Sequence, residues 1–265
     1  MRWIQTILKT LLIVIVLGLA SCAPTAAPAP AQAPAPVITP IPTPTPTPTP
    51  APAPTPAPTP TPTPAPPPEP EPVTYKGDGD DISPKFELTL GIATFEMSHS
   101  GMRNFIVTLL SETGETIDLL VNTIGQYTGT KAVGVQQKPI LGAKPGVHII
   151  NIQADGSWSI TVRQPRFSSA PGLPQSFSGK GDSVSSSFQL NEGLATFTFT
   201  HDGTRNFIVE LLRSSGETVE LLVNTTGSYK GSKAVGVKRG ALIGPQPGIH
   251  LLNISADGSW SVTIK

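Results

Sequence analysis

The chain has 265 residues, with 18 basic side chains balanced by 18 acidic ones, and no basic stripe with interleaved aromatics runs through it; nucleic acid is set aside as a partner. A single cysteine excludes disulfide staples and cysteine-rich zinc sites, so any exported domain must stand on its hydrophobic core.

Residues 1–21 read as a signal peptide. Arg2 and Lys9 precede an apolar run over 11–19, and small residues close the segment. That run falls short of the roughly 20 residues a helix needs to cross a bilayer. The sequence Leu19-Ala20-Ser21-Cys22 resembles the lipobox of bacterial lipoproteins. The resemblance implies a diacylglycerol on Cys22, a membrane anchor at the new N-terminus, and domains on the extracellular or periplasmic side of a bacterial membrane. The competing reading is an ordinary signal peptide with a chance cysteine after the cut.

Residues 22–72 join that cysteine to a stretch of proline, threonine and alanine. Proline fixes φ and removes a backbone donor, so helix and sheet are both excluded there. Polyproline II at about 3.1 Å per residue gives a semi-rigid stalk of up to roughly 150 Å. Its threonines are candidates for O-glycosylation on composition alone.

Everything beyond the stalk is a duplication: residues 77–162 lie on residues 179–264 at a constant shift of 102 without a gap. The modules are assigned to 73–163 and 176–265, with a Pro/Gly-bearing linker over 164–175, and are expected to hang as beads on a string. Within each module the period is two. Ala195, Phe197 and Phe199 alternate with Thr196, Thr198 and Thr200, and Trp158, Ile160 and Val162 alternate with Ser159, Thr161 and Arg163. Asp155-Gly156 and Asp257-Gly258 suggest type I′ hairpins, and Gly114-Glu115 and Gly216-Glu217 mark another tight connection. The apolar runs 207–212 and 219–223 suggest central strands. No segment shows a helical stripe with caps. The predicted class is all-β: two tandem antiparallel β-sandwiches, jelly-roll-like, with seven to nine short strands each.

The framework Phe188-x-Leu190, Gly193-x-Ala195-Thr196-Phe197, Asn206-Phe207, Leu211-Leu212, Pro247-Gly248 and Asp257-Gly258-x-Trp260 is similar to small sandwich modules of secreted prokaryotic proteins. In outline these are pre-peptidase C-terminal and carbohydrate-binding domains. The resemblance covers both repeats and implies fold more than activity. Those families often carry a tyrosine where this chain has His148 and His250.

Candidate ligand contacts gather in His-x-Gly-x-Arg-Asn: His99, Arg103 and Asn104 in the first module, and His201, Arg205 and Asn206 in the second. An imidazole, a guanidinium fork and an amide at one loop suit a carboxylate, a phosphate or a sugar hydroxyl pair. Turn chemistry alone accounts equally for the glycine and asparagine, with the arginine paired to a nearby glutamate. Tyr127 and Tyr229, each in Gly-x-Tyr-x-Gly, are loop aromatics for a ligand to stack on, or else pack the turn. His148 and His250 share strand parity with Ile152 and Ile254, and Trp158 and Trp260 share that of valine and isoleucine, so these belong to the core.

Asp78, Asp80 and Asp81 form a carboxylate cluster that Ca²⁺ would suit, with a solvated acidic loop as the plainer reading; the second module keeps only Asp182 there. No spacing supports zinc, no other cofactor is implied beyond the covalent lipid, and no Gly-x-Ser-x-Gly elbow appears. The expected function is therefore non-enzymatic: a lipid-anchored surface protein whose modules bind envelope or extracellular glycan. The alternatives are a structural or adhesion protein contacting other envelope proteins and, more remotely, a glycan- or ester-acting enzyme.

Overall fold

The computed structural model describes residues 68–265; the signal peptide, Cys22 and most of the stalk lie outside the described residues. Each module contains nine strands. In the first, one sheet runs in the order β1 (Val73–Asp78), β9 (Ser157–Arg163), β4 (Gly91–His99) and β7 (Tyr127–Val135). The facing sheet runs β2 (Asp81–Ile82), β8 (Gly146–Gln153), β5 (Asn104–Ser111) and β6 (Thr116–Ile124), with β3 (Phe86–Leu88) also on β8. The second module repeats this order with β10 (Gln175–Lys180), β18 (Ser259–Ile264), β13 (Gly193–His201) and β16 (Tyr229–Val237). Its second sheet is β11 (Ser183–Val184), β17 (Gly248–Ser255), β14 (Asn206–Arg213) and β15 (Thr218–Thr226), with β12 (Phe188–Leu190) on β17.

Every pairing between these strands is antiparallel. β2 and β3 pair with the same strand, so they count as one interrupted strand. The two sheets then follow the eight-strand double Greek key of a jelly roll.

The period-two pattern explains the packing. Phe95, Met97, Phe105, Val107, Ile150 and Ile160 fill the first core, and Phe197, Phe199, Phe207, Val209, Leu252 and Val262 the second. Trp158 and Trp260 are buried as well, and each indole N–H donates to a glycine carbonyl, Gly79 or Gly181, at 2.9 Å. His148 and His250 are buried with Nδ1 2.9 Å from the carbonyl oxygen of Gly146 or Gly248.

Three expectations need correction. Gly156 and Gly258 lack the positive φ that a type I′ turn requires; each instead backs onto the opposite loop at Gly101 or Gly203, where a side chain would not fit. Gly114 and Gly216 do adopt positive φ, at 85° and 86°. The apolar run 219–223 lies on β15, an edge strand; a bulge in its pairing with β14 lets the adjacent Leu222 and Val223 both turn inward while Leu221 stays exposed.

The modules also do not hang freely. Ile92 and Ala132 of the first pack against Leu212 and Leu251 of the second, with Phe167 of the linker and Val184 beside them. The Ala132 N–H donates to Asn253 Oδ1 at 3.1 Å, and Asn253 Nδ2 in turn donates to Glu210 at 2.9 Å. The Thr130 N–H donates to the Asp182 carbonyl at 3.1 Å, joining edge strand β7 to edge strand β11. Gly134 and Gly216 meet backbone to backbone, so closely that a Cβ at Gly134 would collide with the Gly216 carbonyl.

Candidate functional site

The histidines of the two His-x-Gly-x-Arg-Asn loops do not face solvent. His99 and His201 end β4 and β13 with the inward parity of Met97 and Phe199, and each is 4% exposed. Each ring stacks on a phenylalanine, Phe105 or Phe207, with centroids 4.5 Å apart and planes 5° or 8° from parallel. Nδ1 lies 2.8 Å from the Gly125 carbonyl oxygen in one module and 2.9 Å from that of Gly227 in the other. Nε2 approaches the Asp155 or Asp257 carboxylate at 3.4 Å. Both histidines thus tie three loops together at one end of a sandwich.

The aspartates hold the neighbouring loop by its backbone. Asp155 accepts the N–H groups of Met102 and Arg103, and Asp257 those of Thr204 and Arg205, all at 3.0 Å. The Arg103 N–H foremost, helped by that of Met102, holds the Asp155 carboxyl below the usual carboxylate range. At Asp257 burial works against ionisation, but the Thr204 and Arg205 N–H bonds outweigh it and the result is again depressed. A depressed carboxylate stabilises the fold above its unfolded value of about 3.9 and loses that contribution as pH falls through the folded value. Thermal melts should therefore show stability falling below about pH 4, and Asp155→Asn with Asp257→Asn should flatten that acid limb while lowering the melting temperature at neutral pH.

With the backbone so held, Arg103, Asn104, Arg205 and Asn206 are exposed, and none of the four forms an ion pair with a glutamate. They border two concavities. One, of about 660 Å³, lies on the first module between Asp80, Arg103, Asn104, Gln153 and Asp155. The other, of about 930 Å³, contains the corresponding residues of the second module: Asp182, Arg205, Asn206, Ser255 and Asp257. It also has a second wall from the first module, where β6 runs into β7: Asn122, Thr123, Gln126, Tyr127 and Thr128.

The tyrosines are not loop-tip aromatics, since Tyr127 and Tyr229 open β7 and β16 and are half-buried on Phe105 and Phe207. The following Gly129 and Gly231 make room for the tyrosine's own hydroxyl end rather than for a ligand. Tyr127 donates its hydroxyl to Asp182 Oδ2 across the inter-module contact at 2.8 Å. Burial first, and then the Asp182 carboxylate, push its phenol well above the ordinary value. Asp182 Oδ1 meanwhile accepts the Ala256 N–H at 2.9 Å.

The acidic cluster of the first module is spent on local bonds. Asp78 accepts the Ser157 hydroxyl, Asp80 the Ala154 N–H and Asp81 the Ile82 N–H, and no group of three metal-ligating side chains gathers among the described residues. Tyr127 of the β6–β7 wall stands out in the sequence, and the Asn122-Thr123 pair just before it offers amide contacts to the same loop; no local pattern signals that this wall meets the second module.

No family model and no curated protein sequence matches the chain. Among the solved structures that are similar to the chain at a low level are the following two. The PBSX exported protein XepA is 8% identical, with a TM-score of 0.23 over 74% of this chain and 85% of that one. A structure of the infectious bursal disease virus Gx strain is 11% identical, with a TM-score of 0.20 over 71% of this chain and 56% of that one.

Proposed function

We propose that this chain is a non-enzymatic surface lipoprotein, anchored through Cys22 and carrying its two jelly rolls on the stalk, and that it binds an envelope or extracellular glycan in the inter-module groove. Its main support is the recurrence of one concavity, position for position, at the same end of both modules. The groove wall includes amides, hydroxyls, the Lys180 ammonium and the Arg205 guanidinium, groups that exchange hydrogen bonds with sugar hydroxyls. The carboxylates there are committed to backbone N–H groups or to Tyr127, which leaves them poorly placed as acid–base pairs.

The test is retention of the full-length, detergent-solubilised chain on immobilised envelope polysaccharides. Arg205→Ala with Asn206→Ala should lower retention at least about tenfold, the loss of one charge-assisted contact. Equal retention of the variant, or no polysaccharide retained by the parent, sinks the glycan reading. Contact with envelope proteins is the second reading, favoured by aliphatic pairs at two loop tips: Ile140 and Leu141 are 100% and 78% exposed, and Leu242 and Ile243 101% and 92%.

A further inference from the structure

The contact between the modules uses one face of the first and a different face of the second. Among the described residues, the duplication therefore leaves a free copy of each, one on either module. The first module's unused face corresponds to the one that the second module offers: Asp80, Ile82, Leu110, Gly114, Ile149 and Asn151 stand where Asp182, Val184, Leu212, Gly216, Leu251 and Asn253 make the contact. The second module's unused face matches the other side: Tyr229, Ser232, Ala234, Gly236 and Leu194 stand for Tyr127, Thr130, Ala132, Gly134 and Ile92. We propose that a second copy of this chain docks on these faces, head to tail, repeating between molecules the contact already made within one.

Sequence identity between the repeats follows from duplication and argues nothing by itself. Exposure does argue. Ile92 is fully buried whereas Leu194 is 72% exposed, and Ile82 is 62% exposed although Val184 in its place is packed in the inter-module cluster. Gly236 and Gly114 have nothing within 4 Å of a Cβ position, while their counterparts Gly134 and Gly216 are pressed together. The edges of β16 and β2 stay open where those of β7 and β11 are joined by the Thr130–Asp182 backbone bond.

Charge supports the same pairing. Thr128 lies against Gly181, beside Lys180. In the contact between copies those positions become Lys230, Gly79 and Asp78, so a threonine–lysine neighbourhood turns into a lysine–aspartate one. Where Glu210 accepts Asn253, Thr108 stands opposite Asn151 with a hydroxyl that accepts as well, though more weakly than a carboxylate.

Docking would also finish the open concavity on the first module. Its rim shows Met102 and Ile124 at 76% and 72% exposure, and it lacks the β6–β7 wall that closes the larger groove. The partner's Asn224, Thr225 and Tyr229 would supply that wall. Such an interface is heterologous, so it propagates into a filament unless the rotation closes a ring. Phe167 of the linker has no counterpart between copies, which makes the intermolecular contact the weaker one. Neighbouring lipid-anchored chains would meet it with a raised local concentration.

Sedimentation of the full-length chain in detergent, followed up to about 1 mM, the effective concentration a short linker provides, tests this. The average mass of the parent should climb with concentration. Leu194→Asp and Ile82→Asp, each on an exposed side chain, should each sediment as a monomer. Mixed one to one, the two variants should give a dimer of twice the monomer mass and nothing larger, because each keeps the face that the other has lost. A parent that stays monomeric, variants that still assemble alone, or a mixture without dimer overturns the proposal. The readout is mass alone, so failure of glycan retention leaves it standing.

Discussion

Replacing Ala132 with glutamate should part the two modules without unfolding either. Ala132 is 5% exposed and sits among Ile92, Leu212 and Leu251, in a cluster separate from both sandwich cores. A carboxylate there has no basic partner in the cluster, and burying it unpaired costs several kcal/mol, more than a contact of this size returns. The cheaper response is for the modules to separate, carrying the charge into water, while the Phe95- and Phe197-centred cores remain intact. Small-angle scattering should report a larger radius of gyration, and calorimetry should resolve two transitions where the coupled chain gives one. Ala234→Glu is the matched control. It is the same substitution at the same place in the repeat, but on an exposed position, and it should leave the scattering of the isolated chain unchanged. A parent chain that already melts in two independent steps would show that the contact carries no coupling.

That contact marks the limit of what the sequence discloses. The jelly rolls are legible because alternation reports which face of a strand is dry. Ala195, Phe197 and Phe199 declare their side of β13, and Trp260 follows Val262 and Ile264 inward on β18. The same parity extends to His201, two residues beyond Phe199, and it places the ring in the core. Reading that histidine by its chemistry rather than by its parity makes it a ligand. The inter-module face has no such code. Ile92 lies on the outward side of β4 and reads as an ordinary exposed aliphatic, exactly as Leu194 is on β13; only the placement of one rigid body on another buries the first and not the second. Tyr127 and Tyr229 share the Gly-x-Tyr-x-Gly frame, and only the first finds Asp182. Local pattern therefore carries topology, whereas the groove arises from a contact between modules that no single strand encodes.

The second large effect belongs to the histidine itself. His201→Ala should lower the stability of the second module by about 3–4 kcal/mol, the range for deleting a buried ring with its hydrogen bond. Two losses add. The ring's stacking on Phe207 at 4.5 Å leaves a cavity at the end of β14, and the Gly227 carbonyl, 2.9 Å from Nδ1, loses its partner. His201→Phe separates them, because it keeps an aromatic ring against Phe207 and forfeits the Nδ1 bond together with the Nε2 approach to Asp257, at about 1–2 kcal/mol. Calorimetry on both variants, with His99→Ala as the first-module equivalent, would order them Ala below Phe below parent. The phenylalanine variant also decides what the histidine does for the groove. Held by packing alone, the Thr204 and Arg205 N–H groups stay on Asp257 and the Arg205 guanidinium stays at the rim, so polysaccharide retention should match the parent. Retention lost in His201→Phe while its fold persists would show instead that the imidazole positions the groove through Asp257 and the Arg205 loop that it holds.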